Sequence, residues 1–332
     1  MSRHQALIVG AFASCWMFGS LGMETARGQV HAFRPTTPPA DVLSIPSPDE
    51  PLPYDVAGNV LDAPTLDMRV HSALPPFSDD CWSWQILPQG LIYPAYLAAG
   101  RESRFGSQWV REQDKGWLWD IALGGHVGML RYGNRDPLRP EGWQVDIEGA
   151  AFPRLTLADY RDLVSVDFRF GVPFTFRRGP LETKLGYYHL SSHLGDEYMV
   201  RYATLDRINY ARDVLIAGLA FRPLESLRLY AEAGWAFFVK GGSEPWEFQF
   251  GIDYSPLQPT GILGAPFFAV NARIREEVDY GGNMTAQVGL QWRGPTGGVF
   301  RTGFHYFNGM ADQYQFFTEH EEQIGMGVWY DF

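Results

Sequence analysis

His189 and Ser191 stand two places apart in the stretch Tyr188-His189-Leu190-Ser191-Ser192. On a β-strand that spacing puts both side chains on one face. An imidazole and a hydroxyl so placed are a general base and the nucleophile it activates, the chemistry of acyl transfer from an ester. Such a pair needs a third group to hold the imidazole. Asp213 and Asn209 share one parity on the next alternating run. Counting up from the connecting turns sets Asp213 level with His189 and Ser191, with Asn209 higher, near the loop; either is a candidate orienting group. The plainer reading of His189 and Ser191 is a polar rim bonded to loop or lipopolysaccharide groups. Asp196 and Glu197 are adjacent carboxylates of the hard-oxygen type that Ca²⁺ takes. Their plainer reading is a solvated loop.

The elements that must carry these residues are alternating strands. Trp246, Phe248, Phe250, Ile252 and Tyr254 alternate with Glu247, Gln249, Gly251, Asp253 and Ser255, and Met284 to Trp292 repeats the pattern against Thr285, Gln287, Gly289 and Gln291. Twelve such runs lie near 92–101, 117–131, 142–157, 163–177, 182–194, 209–222, 227–239, 246–255, 266–276, 283–293, 299–307 and 321–332. Each is about as long as a tilted strand that crosses a bilayer, longer than a soluble sandwich uses. The expected fold class is all-β, a twelve-stranded antiparallel transmembrane barrel. Connections alternate between long (Glu102 to Gly116, Gly195 to Ile208, Asn308 to His320) and short (Arg178-Gly179-Pro180, Pro223 to Ser226), the asymmetry such barrels show. The parity opposite the apolar face collects both signs of charge, among them Asp146, Glu182, Glu247, Arg228 and Arg301. Those groups should pair and fill the lumen. His189 and Ser191 fall on the other parity, with Leu185 and Tyr187, facing lipid, where a polar pair is costly unless it lies at the rim or has work to do.

Composition agrees. The 332 residues hold 38 acidic against 27 basic side chains, so no basic face for nucleic acid is expected. Two cysteines, Cys15 and Cys81, cannot form a disulfide framework or a multi-cysteine zinc site. Residues 1–28 read as a signal peptide, apolar from Ala6 to Met23 and closing on Ala26-Arg27-Gly28. Residues 29–90 are Pro-rich and read as a periplasmic linker, with a plug folded into the lumen as the sharper alternative. Residues 91–332 are then the barrel, placed in the bacterial outer membrane. The last run ends on Phe332. This tail resembles the carboxy-terminal signal read by the barrel assembly machinery.

The string from Tyr188 to Ser192 resembles the His-x-Ser motif of the outer membrane phospholipase A family. That resemblance implies Ser191 as nucleophile, His189 as base and Asn209 or Asp213 as third member, an exterior site acting on outer-membrane lipids, and homodimerisation; Ca²⁺ goes with the hydrolase reading. Ser192 stands where that family has Asn, and the His-to-Asn spacing is wider here. The barrel lipid A deacylases are similar in their His-x-Ser pair. More of the chain, with His189-Leu-Ser-Ser-His193-Leu-Gly-Asp-Glu-Tyr198, Asn209-Tyr210 and Arg212-Asp213, resembles the family known as domain of unknown function 1207, which implies an exported barrel and no settled activity. Two function classes stay open: a lipid (phospholipid or lipid A) ester hydrolase, and a non-enzymatic barrel that is structural or a narrow transport channel. A porin-like channel would favour unbalanced lumen charge and a loop folded inward, neither of which the sequence displays.

Overall fold

A computed structural model describes residues 81–158 and 160–332. The segment expected to be a signal peptide, with Cys15, and most of the Pro-rich segment lie outside those residues. The strands are β1 (Ser83–Ile86), β2 (Phe105–Glu112), β3 (Gly116–Gly133), β4 (Gly142–Thr156), β5 (Leu163–Arg178), β6 (Leu181–Leu194), β7 (Ala211–Leu224), β8 (Leu227–Lys240), β9 (Trp246–Tyr254), β10 (Ala265–Arg275), β11 (Gly282–Arg293), β12 (Val299–Met310) and β13 (His320–Asp331). One short helix, α1 (Asp196–Tyr202), lies between β6 and β7. Strands β2 to β13 pair antiparallel in chain order, and β13 returns to β2 through Gln323↔Glu112 to Tyr330↔Phe105, closing a twelve-stranded barrel. β1 adds beneath β2, pairing with the end of β3 from Ile86↔Leu130 to Ser83↔Gly133.

The alternation has the expected consequence. Phe168, Phe170, Leu215, Leu219, Phe250 and Phe304 are exposed on the outer face, while Asp146, Glu182, Glu247, Arg228 and Arg301 are buried inside. The inward charges pair: Arg169 Nη2 lies 3.0 Å from Glu148 Oε1, Arg301 Nε 2.7 Å from Asp331 Oδ2, and Arg154 Nη1 2.7 Å from Glu321 Oε1. A closed barrel satisfies its backbone within the wall, so an apolar exterior can face lipid without unmet hydrogen bonds.

One expected strand is not a strand. The run 92–101 lies inside the lumen with no ladder, and the wall begins at Phe105 within the segment expected to be the outer loop from Glu102 to Gly116. The barrel boundary at 91 moves accordingly, and β1 falls inside the span assigned to the linker. Ile92, Tyr93, Tyr96 and Ala98 are apolar because they are buried from every side, not because one face meets lipid. A coil inside a barrel must find donors for its carbonyls elsewhere, and arginines from the wall and the coil itself supply them. Arg131 Nη2 donates to Gly90 O (2.7 Å), Arg228 Nη1 to Pro94 O (2.9 Å), Arg104 Nη1 to Leu97 O (2.7 Å) and Arg169 Nη1 to Arg101 O (2.8 Å). Residues near 88–104 thus form a plug, whereas most of the Pro-rich segment for which a plug was the alternative lies outside the described residues.

A second segment enters from the opposite end. Between β12 and β13 the chain from Ala311 to Glu319 turns inward, burying Gln313, Tyr314 and Gln315. Tyr314 packs on Tyr210 with ring centroids 4.6 Å apart and joins a core with Tyr188, Leu190, Val214 and Phe317. An inward loop is therefore present where the sequence displayed none. It packs against the wall, and the recesses between plug, loop and wall measure about 20, 40 and 60 Å³.

Candidate functional site

β6 leaves the tight turn at Gly179, where φ is +58°, a conformation that suits glycine. It pairs with β7 in a register that sets His189 opposite Asp213 and Ser191 opposite Ala211. On the other side Phe170 faces His189 and Phe168 faces Ser191. The connection from β6 to β7 is anchored at its base: Gly195 N donates to Val164 O (2.8 Å) and Ser192 N to Tyr210 O (3.1 Å). β7 then carries a register shift against β8 between Asp213 and Val214. Irregularities of this kind re-aim side chains, and this one begins at Asp213.

His189 Nδ1 lies 2.8 Å from Asp213 Oδ1. An ionised carboxylate only accepts, so Nδ1 is the donor, and in the neutral imidazole that tautomer leaves the lone pair on Nε2. Tyr187, two places before His189 on the same face, donates its hydroxyl to the same Oδ1 at 2.7 Å. The His189 side chain is 42% exposed and that of Asp213 24%. Tyr187 and Phe237 make an aromatic border, ring centroids 6.2 Å apart. The position is on the outer wall, near the end opposite the carboxyl terminus. The arrangement can do one thing that an isolated rim histidine cannot: present an oriented, basic Nε2 to whatever lies against the wall.

Ser191 shares the face but makes no hydrogen bond to His189 among the described residues. Asn209 is exposed, precedes β7 by two residues and is not brought to His189. Asp196 and Glu197 lie in the first turn of α1, and the described residues hold no group of three His, Cys, Asp or Glu side chains able to bind a metal ion. Cys81 is an exposed free thiol. Tyr187 was missed by sequence reasoning, since a tyrosine near a strand end reads as an interfacial aromatic; its parity with His189 was the available signal.

The closed wall, apolar outside and charged within, defines a β-barrel of the outer-membrane type. The chain belongs to the family described as "Protein of unknown function (DUF1207)", whose model matches residues 67–332. No curated protein sequence matches it. Among solved structures it is similar to outer membrane phospholipase A from Escherichia coli, 9% identical, covering 70% of this chain and 91% of that one, with a TM-score of 0.47. The Salmonella typhi outer membrane phospholipase dimer with bound calcium is 11% identical, covering 69% and 90%, with a TM-score of 0.46. A triple mutant of the Rhodopseudomonas blastica porin is 9% identical, covering 69% and 99%, with a TM-score of 0.30.

Proposed function

We propose that this barrel is a lipid ester hydrolase that works on the outer face of its own wall. The observation that carries the reading is the 2.8 Å contact of His189 Nδ1 with Asp213 on the face that meets lipid. In the proposed reaction Ser191 Oγ attacks the ester carbonyl carbon while its proton passes to His189 Nε2. Collapse of the tetrahedral intermediate expels the alcohol, which takes that proton, and leaves an acyl-Ser191. Water then attacks the acyl group with His189 again as base, releasing the fatty acid and restoring the serine. Asp213 holds the ring and stabilises the imidazolium formed in each step. Substrates reach the site from the membrane rather than through the lumen, so outer-membrane phospholipid or lipid A is the substrate class.

A second reading rests on the missing bond between Ser191 and His189. In that reading Tyr187, His189 and Asp213 are a polar stitch between β6 and β7 in a structural barrel. Labelling separates the two. A fluorophosphonate probe added to the refolded protein is expected to modify Ser191, located by peptide mass spectrometry, and to lose that label in His189→Ala. An unlabelled Ser191 in a protein that still migrates as a folded barrel supports the stitch.

A further inference from the structure

At the end of the lumen that holds the carboxyl terminus, a recess of about 60 Å³ is bounded by Arg177, Arg222, Arg228 and Arg293, with Asp253 and Asp331. That is room for about four waters or one group the size of phosphate. The charges around it do not balance. Glu182 serves three guanidiniums at once, with Oε2 3.0 Å from Arg228 Nε and Oε1 in contact with Arg222 Nε and 3.8 Å from Arg177 Nε. Asp253 reaches Arg228 Nη1 only at 3.8 Å. Asp331 is shared between Arg301 Nε at 2.7 Å and Arg104 Nη1 at 3.2 Å. Glu141 stands near Arg177 and accepts from Gly179 N at 3.0 Å. Arg139 and Glu225 pair with each other at the rim.

Among the described residues Arg293 has no side-chain carboxylate within ion-pair distance. Its three nitrogens donate to neutral oxygens, Pro256 O at 2.9 Å, Gly297 O at 3.0 Å and Ser255 Oγ at 2.7 Å. Arg228 is buried, and its Nη2 has no hydrogen-bond partner among the described residues. Around the recess, then, six guanidiniums face four side-chain carboxylates and the chain-end carboxylate of Phe332, which also lines it, so positive charge is in excess by one. A buried surplus of charge is expensive unless something neutralises it. Guanidinium forks match tetrahedral and carboxylate oxyanions better than chloride or water.

We infer that this recess is a binding site for a small phosphate-type oxyanion, held by Arg177, Arg222, Arg228 and Arg293. One of these arginines also holds the plug, since Arg228 donates to Pro94 O, so the anion ties plug to wall. This site is independent of Ser191 and His189.

The test uses the full chain refolded in zwitterionic micelles, titrated calorimetrically with inorganic phosphate at constant ionic strength. Phosphate should bind saturably with one site per chain, and equivalent chloride should give no saturable heat. Arg293→Gln and Arg177→Gln should each weaken phosphate at least tenfold while heat-modifiable migration is kept; if one variant fails to fold, the other carries the test. Glycerol phosphate run alongside distinguishes a phosphomonoester, if it binds more tightly than phosphate, from the free ion, if it does not. No saturable binding to the folded wild type, or unchanged binding in a folded variant, overturns the inference.

Discussion

Asp213 accepts two hydrogen bonds at one oxygen, from His189 and from Tyr187, and the two are not equal in consequence. Removing the carboxylate frees the imidazole to take either tautomer, so Asp213→Asn should lower kcat by about 10²-fold or more with little change in KM. Tyr187→Phe removes one hydrogen bond worth about 1 kcal/mol and leaves the dyad, so its rate loss should be less than about tenfold. Asn209→Ala should leave the rate unchanged, because Asn209 lies outside the paired register. Steady-state kinetics on the three variants with one monomeric ester checks all of this. An Asn209 effect larger than that of Asp213 would reassign the third member.

At the scale of elements, the plug is where charge and burial conflict. Glu102 is buried at its end, and burial pushes its carboxyl above the ordinary carboxylate range, more strongly than Lys184 and Arg169 pull it down. A folded-state value above the unfolded one means that stability from the protonated form is full below the unfolded value and is lost as pH rises through the folded one. Glu102→Gln should therefore resist urea better than wild type at pH 7, and the advantage should vanish as pH falls below about 4. A variant less stable than wild type at pH 7 would show that the ionised carboxylate helps hold the plug. These elements also mark the limit of what the sequence discloses. Eleven of the twelve runs became wall strands, because lipid on one side and a polar lumen on the other impose a period of two. Residues 92–101 imitate that signal since a coil buried on all sides is apolar too. β2 hides from it, with Val110 buried inside and Arg111 exposed outside. The inward turn of Ala311–Glu319 has no period to read. The level of Asp213 with His189 was legible from strand parity and turn counting, whereas the shift at Asp213–Val214 and the role of Tyr187 depend on side-chain aim.

The described residues form a barrel entered from both ends by its own chain. The plug near 88–104 and the turn at 311–319 leave recesses of about 60, 20 and 40 Å³ between them and the wall, each small against a hydrated solute. Planar bilayers containing the refolded protein should stay silent at voltages where porins conduct. Steady single-channel steps from wild type would restore the transport reading. Detergent-solubilised protein should show a mainly β circular-dichroism spectrum and heat-modifiable migration, as a closed wall implies.

If the exterior dyad serves Ser191, the refolded barrel releases fatty acid from lipid esters. Refolded wild type, Ser191→Ala and Asp213→Asn would be given mixed phospholipid and lipopolysaccharide micelles, with and without Ca²⁺, and free fatty acid followed over time. Wild type should release fatty acid, Ser191→Ala none above background, and Asp213→Asn about 10²-fold more slowly than wild type. Release that persists in Ser191→Ala, or no release from a wild type shown to be folded, would contradict that role of Ser191.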